Sequence, residues 1–80
     1  MQKILNDSHL GDNLLRIRKM RNMTQNDVIA KMQILGSNLS VTAYSKIEHG
    51  IRNIKVTDLV GLKNVFNVDY SEFFVAIPHC

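Results

Sequence analysis

Ser40-Val41-Thr42-Ala43-Tyr44-Ser45-Lys46-Ile47-Glu48-His49-Gly50 is the stretch that decides the fold. Ser40 can cap a helix, because its hydroxyl accepts a hydrogen bond from a free amide of the first turn. Ala43, Tyr44 and Ile47 form an inward stripe at helical spacing, and Gly50 supplies a stop. Val41, Thr42, Ser45, Lys46 and His49 then point away from the core. The outward side chains near the helix start are small or flexible, so the helix can enter a groove about 12 Å wide. Lys46 can donate to guanine O6/N7 or to phosphate, and Thr42 can donate or accept. The methyls of Val41 and Thr42 can meet a thymine methyl. Taken alone, the same residues also describe a solvated helix face.

Working outward, Thr24 is a second cap candidate. Its hydroxyl faces the amide of Asp27, and an acid at that position suits the positive helix end. Val28, Ile29, Met32 and Leu35 are the apolar stripe of this helix, and Gly36 suits a left-handed end. Ser37-Asn38-Leu39 is the turn between the two helices. Leu10, Leu14, Ile17 and Arg21 recur at helical spacing and predict an earlier helix over about residues 10–21. A fourth helix is expected from Thr57 to Phe66, with Lys55 or Thr57 at its cap, and a short fifth from Asp69 or Ser71 to Phe74. No alternating strand pattern is present, so the class is all-α. The boundaries are a loose polar leader over 1–9, a helical domain over 10–74 and an apolar tail over 75–80.

Eighty residues allow one domain, and the apolar share of 45% is ordinary for a globular chain. Up to Lys55 there are nine Lys/Arg against four Asp/Glu, and beyond it one against three. The basic part is the part with the capped helix pair, which suits a polyanionic partner. Cys80 is the only cysteine, so neither a disulfide nor a zinc cluster is expected. No stretch approaches the roughly 18 apolar residues of a membrane span, and the basic-then-apolar order of a signal peptide is missing. A cytoplasmic, nucleoid-associated location is expected, with no cofactor and no metal.

Arg18, Thr24-Gln25 and Tyr44 to Gly50 together resemble the Cro/repressor-type (XRE) helix-turn-helix family, and the likeness runs from about Leu10 to Phe74. The resemblance implies a five-helix, lambda-repressor-like DNA-binding domain. Helices two and three form the helix-turn-helix. Base reading then falls on Val41, Thr42 and Lys46, with Ala43 close by. Backbone contacts fall on Gln25, Ser45, His49, Arg52, Asn53 and Lys55, with Gln25 also buttressing the reading helix. Arg18 and Glu48 match a structural ion pair, whose physical form is a bidentate guanidinium–carboxylate clamp. Alternatively, Arg18 belongs to the basic run Arg16 to Arg21 and faces water or phosphate. The sequence departs from the family at three places. The span from Gln25 to Glu48 is longer than usual, with the extra length around Gln33 to Leu39. Ile29 stands where a small residue is common, and Ile54 where proline is frequent. The longer turn either touches DNA through Ser37 or Asn38 or is an inert bulge.

An enzyme is disfavoured. His9, His49 and His79 are scattered, the C-terminal acids do not converge, and a pocket of typical size is hard to fit among short helices. The expected function is a sequence-specific, double-stranded DNA-binding transcriptional regulator of prokaryotic or phage type, a repressor by default. Arg16, Lys19, Arg21, Lys46, Arg52 and Lys55 would supply electrostatic capture. The alternative is an antitoxin or docking module acting through a protein partner such as a toxin. Tyr70, Phe73, Phe74, Val75 and Ile77 make an apolar C-terminal cluster. Phe74, Val75 and Ile77 exceed what the core needs and are candidates for a homodimer contact. A dimer would set two reading helices about 34 Å apart, on a near-palindromic site.

Overall fold

Helix ends in this chain are set by short polar caps and left-handed stops. In the computed structural model, which describes residues 3–4 and 9–75, the order is β1 (Lys3–Ile4), α1 (Leu10–Met20), α2 (Gln25–Ile34), α3 (Val41–Glu48), β2 (Ile54–Lys55), α4 (Val56–Phe66) and a 3-10 helix (Tyr70–Phe74). Thr24 opens α2 with a reciprocal cap. Its Oγ1 accepts from the Asp27 amide at 3.0 Å, and Asp27 Oδ2 accepts from the Thr24 amide at 2.8 Å. Ser40 opens α3 by accepting from the Ala43 amide at 3.1 Å. Of the two candidates for α4, Lys55 is at the cap.

Gly36 (φ 93°) and Gly50 (φ 74°) end α2 and α3 in the left-handed region that glycine enters without steric penalty. At the first, Gly36 N donates to Gln33 O and Ser37 N to Met32 O, both at 3.0 Å. At the second, Gly50 N donates to Ile47 O at 3.1 Å and Ile51 N to Lys46 O at 2.9 Å. Carbonyls that would otherwise be orphaned at both ends are thereby satisfied.

Two expectations need correction. There are four α-helices among the described residues, and the fifth helical segment is 3-10. Its end is set by its carbonyls. Asn13 Nδ2 donates to Phe73 O at 2.9 Å and Val75 O at 2.8 Å, so these oxygens serve a side chain of α1 rather than a continuing helix. The chain is also not purely helical. Lys3–Ile4 pairs antiparallel with Ile54–Lys55, with Ile4 opposite Ile54, so part of the expected loose leader is paired. Two-residue strands are too short to show alternation in a sequence.

α1 packs on α3 and on the 3-10 helix, and α2 packs on both α3 and α4. The core takes the inward stripes, with Tyr44, Phe66 and Phe73 among its largest fully buried side chains. Ile29 and Ile54, both departures from the family pattern, are buried core residues. Leu39 of the long turn is also buried, whereas Leu35, expected in the stripe of α2, is 55% exposed.

The α1–α3 contact depends on a missing side chain. A Cβ on Gly11 would lie 2.5 Å from Glu48 O and 2.6 Å from Ile47 O. Both are backbone atoms that cannot swing aside. A Cβ on Gly61 would meet only the flexible end of Met32, at 2.9 Å. Gly11→Ala should therefore destabilise by about 2 kcal/mol or more, as overpacking against rigid atoms does. Gly61→Ala should cost less than about 1 kcal/mol, because the gain in helix propensity offsets a small shift of Met32. Urea midpoints of the two variants check this; equal midpoints would refute the distinction.

Candidate nucleic-acid interface

Glu48, the last residue of α3, is only 6% exposed and accepts from two other helices. Arg18 of α1 donates Nε to Oε2 at 2.7 Å and Nη2 to Oε1 at 3.1 Å, a two-pronged contact. Its remaining nitrogen, Nη1, donates to Met23 O at 3.0 Å, across the turn that follows α1. Gln25, the first residue of α2, donates Nε2 to Glu48 Oε1 at 3.0 Å. Three helices are thus tied at one carboxylate.

Burial pushes the Glu48 carboxyl up, but bonding from Arg18, with Tyr44 and Gln25 assisting, outweighs it and holds the group below its ordinary range. The Tyr44 hydroxyl is fully buried beside the same pair, and burial raises its pKa. Its oxygen has no hydrogen-bond partner among the described residues.

This network orients the exposed face of α3. Thr42, Lys46 and His49 are exposed, and Val41 and Ser45 are half-buried. His49 Nδ1 donates to Ser45 O at 2.7 Å, so its Nε2 is the nitrogen left for an outside partner. In the following loop Arg52 and Lys55 are exposed and Asn53 is half-buried. None of Lys46, Arg52 and Lys55 forms an ion pair among the described residues. Ala43 does not belong with this group. At 7% exposure it lies in the core, because it shares the inward stripe of Tyr44 and Ile47. Gln25 is half-buried and turned to Glu48, which places its amide as a strut between helices.

Two cations of the expected capture set also bond within the fold. Arg16 Nη2 donates to Glu72 O at 3.0 Å and its guanidinium also reaches Asn13 Oδ1 at 3.3 Å. Arg21 Nε donates to Phe66 O at 2.8 Å. Both hold carbonyls of the C-terminal half, Arg21 while remaining exposed and Arg16 while half-buried. Lys19 stays exposed. Asn13, fully buried, is the hub that residue-type reasoning passed over. Its position in the stripe Leu10, Asn13, Leu14, Ile17 was the available signal of a buried amide.

Of the dimer candidates, Phe74 and Val75 are exposed, at 44% and 42%, and Ile77 lies outside the described residues. Ile34 and Ile51 are exposed apolar residues that the sequence did not single out. Ser37 of the long turn accepts from the Leu39 amide and donates to Asp58 Oδ1, each at 3.0 Å, which fastens the turn to α4.

The lowered carboxyl of Glu48 has a consequence for pH. A group whose pKa falls on folding stabilises above its unfolded value, and that contribution is lost as pH drops through the folded value. Glu48→Gln should cost about 3 kcal/mol at pH 7, since it leaves a charged Arg18 without its partner. The gap to the parent should shrink as pH falls below the usual 4.5 of a glutamate. Guanidinium melts at both pH values check this; an unchanged midpoint at pH 7 would refute the role given to the clamp.

Among the described residues no helix is long and apolar enough to cross a membrane, and no cluster of candidate metal ligands occurs. No curated protein and no solved structure matches the chain significantly. A family model described as helix-turn-helix matches residues 14–73, which spans α1 to the 3-10 helix and includes the whole Arg18–Gln25–Glu48 network. Members of this family are DNA-binding regulators and not typically enzymes. The chain therefore belongs to the XRE-type helix-turn-helix family of DNA-binding proteins.

Proposed function

We propose that the protein is a dimeric transcriptional repressor of prokaryotic or phage type, acting in the cytoplasm on a near-palindromic operator. The observation that carries this reading is the grouping of an exposed Thr42 and Lys46 on α3 with Arg52 and Lys55 just after it, cations with no ion pair among the described residues. Lys46 and Thr42 read base edges, and Val41 adds an apolar contact. Arg52 and Lys55 hold phosphates, with Asn53, Ser45 and His49 beside them. Gln25 acts mainly by bracing Glu48, with its backbone amide at the start of α2 available to a phosphate.

Phe74 and Val75 support the dimer, as exposed apolar side chains on a segment that Asn13 and Arg16 hold against α1. One reading helix covers too few base pairs for specificity, and a second multiplies the discrimination. Occlusion of a promoter by the bound dimer is the simplest way such a small protein would repress.

Lys46→Ala should weaken cognate binding by about 1–3 kcal/mol and relax preference at one position of the site. Arg52→Ala should weaken binding to all sequences alike and lower the salt slope by about one. Binding isotherms at several salt concentrations separate the two; a changed sequence preference in Arg52→Ala would contradict its assignment. Sedimentation should give concentration-dependent mass, and a strict monomer at high protein concentration would contradict the dimer.

A further inference from the structure

The long turn between α2 and α3 has a product that the DNA reading does not use. It forms one wall of a cleft of about 370 Å³, closed on the other side by the start of α4. That volume is at the low end of the ~300–1,000 Å³ of small-molecule sites. Its apolar lining comes from Leu35, Leu39, Ala43 and the edge of Met32, beside the polar side chains of the turn. The rim carries Arg52 and Lys55, neither of them ion-paired among the described residues. The remaining charged group is Asp58, whose Oδ1 is engaged by Ser37. The Ser37–Asp58 bond holds the turn to α4, so the cleft has two tethered walls.

An apolar lining below two cations with no ion pair among the described residues suits a ligand with two chemical parts. We propose that the cleft binds a small organic anion, a carboxylate or phosphate monoester on a compact apolar body. The anionic head lies at Arg52 and Lys55, and the body lies on Leu35, Leu39 and Ala43. The site has a regulatory consequence that rests on the DNA reading above. The same two cations are assigned to DNA phosphates, and Ser40 and Ala43 at the start of α3 line the cleft. Ligand and DNA then compete, and the ligand releases the operator. The head chemistry is shared by a free phosphate ester and by the DNA backbone. Only the former brings an apolar body, which is what the test separates.

The probe is phenyl phosphate, added without DNA to the full ¹⁵N-labelled chain, with inorganic phosphate as the charge-only arm. The expected result is saturable shifts of the Gly36, Ser40, Ala43 and Gly61 amides, with Kd at or below about 1 mM. Binding should be at least about tenfold tighter than that of inorganic phosphate, as about 1.4 kcal/mol from the apolar body requires. Thr57→Trp, which fills the cleft from α4, should abolish these shifts and leave DNA affinity unchanged. Arg52→Ala should weaken phenyl phosphate about tenfold or more. Equal affinity for the two phosphates, or shifts centred elsewhere, would overturn the site. In a second step, saturating phenyl phosphate should weaken DNA binding about fivefold or more. Unchanged DNA affinity with the cleft occupied would overturn the competition. Cleft binding in a protein that binds no DNA would keep the site and remove the DNA reading instead.

Discussion

The carboxylate of Glu48 is the constraint on which the arrangement rests. It is buried, ionised and shared by Arg18 from α1 and Gln25 from α2. Placing a charge in such a position is costly unless its oxygens are satisfied, and here three donors satisfy them. The cost of breaking any one of these contacts is what fixes α3 relative to its neighbours. Gly11 adds a steric counterpart at the same point, since only a bare Cα lets α1 approach the last carbonyls of α3. On the proposed reading α3 must hold its side chains in register with base edges, and this junction supplies rigidity at its C-terminal end. The Ser40 cap supplies it at the other.

Six of the ten cations fall into two groups with different work. Arg16 and Arg18 on α1 and Arg21 at its C-terminal end bond within the fold, to the 3-10 helix, to Glu48 and to the end of α4. Arginine suits these places because its planar fork can satisfy several oxygens at once. Lys46, Arg52 and Lys55 remain exposed, with no ion pair among the described residues, on α3, the loop after it and β2. The positive charge available to a polyanion is therefore narrower and better placed than the composition suggests. Its concentration beside α3 is what supports the proposed DNA contact there.

Features set by neighbours in the chain were legible before the fold was known. Thr24, Ser40, Gly36 and Gly50 act through hydrogen bonds and dihedrals a few residues away, and each stands where local reasoning put it. Features set by distant partners were not. The carbonyls that hold Arg16 and Arg21 come from residues 56 and 45 positions further on, and nothing local marks them. The segment Tyr70–Phe74 is held against α1 by Asn13, 60 residues before Phe73. Ala43 was assigned to both the inward stripe and the base-reading set, and burial resolves the conflict in favour of the stripe. The cleft under the long turn is a space between elements, which no residue pattern announces.

The most direct measurement is selection of bound sequences from a random duplex library at about 150 mM salt, where non-specific phosphate capture is weak. The account requires a recovered motif with two inverted half-sites about 10 base pairs apart, centre to centre. A folded protein that enriches no motif would contradict it.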